Sequence, residues 1–238
     1  AAMKAPAAHI AVTLPDNDEY ARNWPRFLGP TGLAISQAQN VPTDWDGKSG
    51  RNVLWKSPVP LGGMSSPIIW GERIFLTGAD KQQRKVFCFS AADGKLLWER
   101  PVNARVAAPE DAVEPMADTG FAAPTPATDG LRVYAIFANG DLAAFDFDGN
   151  QLWIKSLGYP QNQYGHATSL LTHGGTLIVQ YDQGHAEDGL SCIMALDGAT
   201  GADIWTQPRE VNESWTTPAI VTIADKAQLI TAANPLTI

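Results

Sequence analysis

The chain has 238 residues, with 17 Lys and Arg against 25 Asp and Glu and a net charge of −8, which argues against a phosphate-binding, nucleic-acid surface. It is 45% hydrophobic and only 18% charged, enough apolar material for a sizeable core and too little charge for a self-repelling disordered chain. No stretch approaches the roughly 18 consecutive apolar residues of a spanning helix, so no transmembrane segment is expected.

In chain order, residues 1–50 read as an N-terminal extension and lead-in, and 51–238 as a run of repeats. The first residues, AAMKAPAAHIAVTL, lack the compact apolar segment of a secretory signal. The expectation is a soluble protein, already processed if exported. The 21 Gly, 17 Pro and 8 Trp suit many short strands better than long helices. A strand near 53–57, around Trp55, resembles the last strand of a repeat arriving before the other three.

Three hairpins then share one grammar. Phe89 to Trp98, Phe145 to Trp153 and Leu196 to Trp205 each pass through Asp-Gly or Thr-Gly, with Trp five residues after that Asp or Thr. Glycine takes the positive φ that a tight hairpin needs. A second landmark precedes each: Ser66-Pro67, Thr125-Pro126 and Thr168-Ser169 open a strand, a polar turn and another strand, and Thr217-Pro218 opens a fourth unit. Each unit is therefore four antiparallel strands, A to D, with blades expected at about 64–100, 123–155, 166–207 and an incomplete one at 215–238. Trp55, Trp98, Trp153 and Trp205 recur at intervals a little above the roughly 40–45 residues of a compact propeller blade. The expected fold is all-β, a β-propeller with about four blades represented; a sandwich has no reason to repeat Gly-x-x-x-Trp once per four strands.

The last copy, Ala195-Leu-Asp197-Gly-Ala-Thr200-Gly201-Ala-Asp-Ile-Trp205, resembles at every defined position the tryptophan-docking element A-x-D-x-x-T-G-x-x-x-W of the PQQ-binding-like β-propeller repeat proteins. The other copies depart from it. Cys88, Ser90 and Asp93 stand where Ala, Asp and Thr are expected, and the Ala144–Trp153 copy is one residue short. Asn23-Trp24-Pro25-Arg26-Phe27-Leu28-Gly29-Pro30 is similar to the lead-in of large bacterial members. The resemblance implies a seven- or eight-bladed ring and a periplasmic or otherwise extracytoplasmic location; with a strand D first and no closing Gly-x-x-x-Trp, the chain is expected to be a piece continuing past Ile238, the alternative being four units that close on themselves or on a second copy. It also implies docking tryptophans that fasten neighbouring blades, so Trp98, Trp153 and Trp205 are structural. Similar propellers include a lipoprotein of the outer-membrane β-barrel assembly machinery, which works by protein contacts; others are PQQ- and Ca²⁺-dependent dehydrogenases. The dehydrogenases use a carboxylate base, bound Ca²⁺ and often a vicinal disulfide, and this chain has no Cys-Cys pair.

No GxGxxG, GxxxxGK[ST], GxSxG, HExxH or EF-hand loop is present. No catalytic, cofactor or metal residue is therefore assigned, and a non-catalytic binding or scaffolding module is expected, with a PQQ- and Ca²⁺-dependent dehydrogenase as the alternative. Met64, Ala123, His166 and Trp215 fall three residues before each strand-A Pro or Ser and read as one equivalent place around the ring. Met64, His166, Trp215, Tyr164 and His185 are the candidate channel-mouth contacts, alongside Tyr159, Gln161 and Asn162, for a protein partner, small ligand or carbohydrate. A metal site from His166, His173 and His185 with Asp182, Glu187 and Asp188 is weakened by strand polarity, which puts His173 at the opposite mouth. Cys88 and Cys192 read as small buried hydrophobes that pair only if the fold brings them together.

Overall fold

A computed structural model describes residues 13–234. Three four-stranded meanders follow one another. The first runs β1 (Ile68–Trp70), β2 (Arg73–Ala79), β3 (Arg84–Ser90) and β4 (Leu96–Pro101). The second is β5 (Ala127–Thr128), β6 (Arg132–Ile136), β7 (Asp141–Asp146) and β8 (Gln151–Ser156). The third is β9 (Leu171–His173), β10 (Thr176–Tyr181), β11 (Cys192–Asp197) and β12 (Asp203–Pro208). A two-stranded sheet, β13 (Ala219–Ile223) with β14 (Lys226–Ile230), begins the fourth unit. Every pairing is antiparallel and between chain neighbours, the blade pattern expected from the repeats.

The hairpins show why the motif has its composition. In each blade the register slips at one place, Cys88/Phe89, Ala144/Phe145 and Ala195/Leu196, leaving Cys88 opposite Trp98, Ala144 opposite Trp153 and Ala195 opposite Trp205. A small residue must face the indole, which is why Cys88 substitutes for alanine there. After the bulge, Gly149 and Gly201 take φ of +83° and +72°. A Cβ at Gly149 would lie 2.8 Å from the Trp98 ring, and one at Gly201 2.7 Å from the Trp153 ring. Glycine is thus demanded twice, by the turn and by the indole of the preceding blade.

Those indoles are fastened as well as packed. Trp98 Nε1 donates to Phe147 O at 2.9 Å and Trp153 Nε1 to Gly198 O at 2.9 Å, each a carbonyl in the next blade's turn. Trp98 sits with Phe75 and Phe145 in the core between the first two blades, and Trp153 with Tyr134 in that between the second and third. Trp205 differs: it is 42% exposed. The third interface holds only Leu171, Ile178, Ile193 and Ala195 against Ile220 and Leu229.

One expectation needs correction. Residues 53–57 form no strand, and Leu54 is 95% exposed. A strand needs a partner ladder, and this segment instead lays Trp55 across the first blade's turn, its Nε1 donating to Ala91 O at 3.0 Å. The described part of the lead-in packs on the blades. Trp24 pairs with Ile69 on the inner edge of β1, Pro25 O accepts from Thr128 N, and Tyr20 stacks edge-on against Trp70. Helix α1 (Asn17–Ala21) begins at Asp16, whose side chain accepts from Glu19 N at 2.8 Å. Cys88 and Cys192 are both free thiols, Cys88 buried and pushed up to about 11 by that burial.

The blades are also linked by a chain of hydroxyls. Ser66 N donates to Thr125 Oγ1 at 3.0 Å, Thr125 N to Ser169 Oγ at 3.0 Å, and Ser169 N to Thr217 Oγ1 at 3.1 Å. Thr125, Ser169 and Thr217 thus each satisfy the preceding unit's amide with their own side chain, which explains the hydroxyl at those three landmarks.

Candidate functional site

The loops joining one blade to the next form one rim, and the tight turns between strands A and B form the opposite one. On the first rim the third and fourth units lock together through backbone bonds. Gly184 N donates to Gln161 O at 2.7 Å and Glu213 N to Gly184 O at 2.8 Å. Beneath them is a buried polar cluster. Both oxygens of Asp182 accept from Arg209 (Nε to Oδ1, 2.8 Å; Nη2 to Oδ2, 3.3 Å), and Oδ2 also accepts from Gln180 at 2.9 Å and Ser214 at 2.6 Å. Arg209 reaches on to Thr231 Oγ1 at 2.6 Å. Such a cluster is stable to the extent that its members satisfy one another; apart from Gln180 Oε1, which is buried without a partner, they do so here, and the cluster underlies the rim.

On that floor stands an aromatic pair. Asn162 is 3% exposed; its Oδ1 accepts from Trp215 Nε1 at 2.8 Å and from Tyr164 N at 3.0 Å, while its Nδ2 donates to Asp182 O at 3.3 Å. Tyr164 and Trp215 meet edge-on, ring centroids 5.0 Å apart at 88°. With its N–H already held, Trp215 still leaves 41% of its surface open. His185, exposed, heads the 3-10 turn Ala186–Asp188, its backbone N–H donating to Asp188 Oδ2 at 2.8 Å, and the next residue, Ala186, donates its N–H to Asn212 Oδ1 at 3.0 Å.

The other predicted residues lie elsewhere. Met64 is 64% exposed at the first blade, its N–H bound to Ala122 O, and does not join the pair. His166 is 4% exposed and stacks on Tyr181, centroids 4.9 Å apart at 17°; burial pushes its imidazole down to about 4. It is a neutral wall residue. The hydroxyl chain also corrects its register: with Ser169 equivalent to Ser66, Thr125 and Thr217, the counterpart of Met64 and Trp215 is Ala167, and His166 matches buried Ala122 and Ser214. His173, the last residue of β9 before its turn into β10, lies on the opposite rim from His166 and His185. Among the described residues no three His, Cys, Asp or Glu side chains form a metal-binding group. Sequence reasoning missed the Gln180–Arg209 cluster; its one signal was a Gln inside the otherwise apolar run Leu-Ile-Val-Gln-Tyr of β10.

The comparisons with known proteins agree with the blades. A europium-containing methanol dehydrogenase matches with TM-score 0.56 and 16% identity over 79% of this chain and 32% of its own. The quinohemoprotein alcohol dehydrogenase of Comamonas testosteroni matches with TM-score 0.53 and 18% identity over 82% of this chain and 29% of its own. A Pseudomonas putida quinohemoprotein alcohol dehydrogenase gives 0.52 and 20%, over 81% and 27%. The chain therefore spans about a third or less of these structures, and at such identities the likeness is one of fold. No curated protein matches the chain. Residues 37–231 match the family model described as outer membrane protein assembly factor BamB, and the chain accordingly belongs to that family of PQQ-like repeat β-propellers.

Proposed function

We propose that this propeller segment is a non-catalytic, extracytoplasmic docking module whose rim at Trp215, Tyr164 and His185 binds a protein partner. The observation that carries the reading is the Trp215–Asn162 bond. It holds a large aromatic in one orientation from a buried floor while leaving its face in solvent, the form of a preorganised interface anchor. Membership in the assembly-factor family supports a protein rather than a small substrate as the partner. Among the described residues no helix is long and apolar enough to cross a membrane.

The residues at this rim do not fit the PQQ and Ca²⁺ that the family resemblance also implies. Asp182 is the buried carboxylate there, and Arg209, Gln180 and Ser214 already take up its oxygens. A cation would have to displace a bidentate arginine, and a pair left with one partner buried is strongly destabilised.

The test places a photoreactive side chain at His185 and, as control, at Ile223 on β13. Capture of a protein from the extracytoplasmic fraction at His185 alone, reduced at least about tenfold by Trp215→Ala, is expected. Absence of capture at His185 would remove the reading. Dye-linked alcohol oxidation after adding PQQ and Ca²⁺ would favour the dehydrogenase, and glycan-array binding lost with Trp215→Ala a carbohydrate ligand.

A further inference from the structure

The opposite rim carries a second feature that the first site does not use. A cleft of about 390 Å³ opens there between the lead-in and the inner strands of the third and fourth units. Arg26 lines it and is only 3% exposed. Three other well-covered arginines each have a carboxylate: Arg84 has Asp141, Arg132 has Asp129 and Arg209 has Asp182. Arg26 has none among the described residues; its Nη2 donates to Pro30 O at 3.4 Å and its side chain also meets the Tyr20 hydroxyl.

The surroundings keep the guanidinium both buried and uncompensated. Gly32 lies against its Nη1–Nη2 edge; a Cβ there would come 2.9 Å from Nη2 and 3.0 Å from Nη1. Tyr20, alongside, is pushed up by burial and stays a neutral phenol, so it contributes no negative charge. Asp129 also borders the cleft, but its carboxylate already accepts from Leu131 N, Arg132 N, Arg132 Nη1 and Tyr134 Oη. Burial pulls Arg26 downward, the direction expected of a cation held from water without a counter-charge. Leaving a charge in this state is costly unless something pairs with it.

We propose that this cleft is a binding site for a small organic carboxylate, with the Arg26 guanidinium gripping the carboxylate and Leu14 and Ile220 lining the path of an apolar body. A planar fork with free donors fits a carboxylate bidentately. Leu14, Pro15, Leu171 and Ile220 offer an organic acid apolar surface within an otherwise polar lining, which a fully hydrated inorganic anion would not use. His173, exposed at the cleft edge, adds a second donor.

The test uses the whole chain and isothermal titration with hexanoate, with hexan-1-ol as the uncharged isostere and inorganic phosphate as the charge without the body. Hexanoate is expected to bind and to bind tighter than phosphate, hexan-1-ol not to bind, and Arg26→Met to weaken hexanoate at least about tenfold, one charge-assisted pair's worth. Without ligand, Arg26→Met is expected to keep or raise the Tm, because it removes an unpaired buried charge. A Tm that falls, or a variant that does not fold, would make Arg26 a structural residue and overturn the proposal. No hexanoate binding, equal binding by Arg26→Met, equal binding of hexan-1-ol, or tighter binding of phosphate would each overturn it as well.

Discussion

The second and third blades present the same docking tryptophan in opposite circumstances. Trp153 is 9% exposed with its N–H bound to the next blade's turn, whereas Trp205 is 42% exposed. Yet the hairpin before Trp205 matches the family motif at every defined position, while the one before Trp153 is a residue short. Fidelity of a motif therefore reports the local turn, and burial of its indole is decided by the next blade. Gly201 lies over the Trp153 ring, whereas among the described residues, which end at 234, no glycine turn lies over Trp205.

That contrast predicts its own breakage. Trp153→Ala should cost about 3–5 kcal/mol, the range for emptying a packed aromatic site, read as a fall in urea midpoint. Trp205→Ala, by the same measurement, should cost about 1 kcal/mol or less. Equal losses would mean that the two interfaces are equivalent after all.

A second prediction sharpens the role of the wall between the second and third blades. His166 is neutral in the folded chain with a pKa of about 4, against an ordinary 6.5. Above pH 6.5 both folded and unfolded chains hold it neutral. As pH falls from 6.5 toward 4 the unfolded chain takes up a proton that the folded one refuses, so stability drops by about 3 kcal/mol and then levels off. His166→Phe keeps an aromatic against Tyr181 and should flatten that acid limb in urea titrations at pH 7, 5.5 and 4.5; an unchanged limb would assign the acid sensitivity elsewhere.

The hydroxyl chain gives a smaller effect. Ser169→Ala removes the acceptor of the Thr125 amide, and a buried N–H left alone costs about 1–3 kcal/mol. Ser169→Thr should restore most of it, because threonine serves at the equivalent position of the second and fourth units.

How much of this was legible follows from where each interaction lies along the chain. The blades and the buried Trp98 and Trp153 were readable because spacing and turn chemistry are local. The strand expected near 53–57 was misread because the segment imitates a strand D, and a strand exists only where a ladder forms. His166 was set one place off because Leu170 replaces the proline that marks its counterparts, so the repeat was anchored on Ser169. The Ser/Thr landmarks were visible without their reason, since each bond crosses to another blade. Trp215 and Tyr164 were chosen as aromatic candidates, but Asn162, which orients Trp215 from 53 positions away, acquires that role only in the folded chain. The Arg26 cleft joins residues from the lead-in to the fourth unit, and no spacing announces it.

The central claim, that a docking indole is buried only by the turn of the following blade, is tested most directly by hydroxyl-radical footprinting read residue by residue in the mass spectrometer. Trp205 should be oxidised readily, with Trp98 and Trp153 protected in the folded chain and exposed alike in urea. Comparable oxidation of all three in the folded chain would contradict the account.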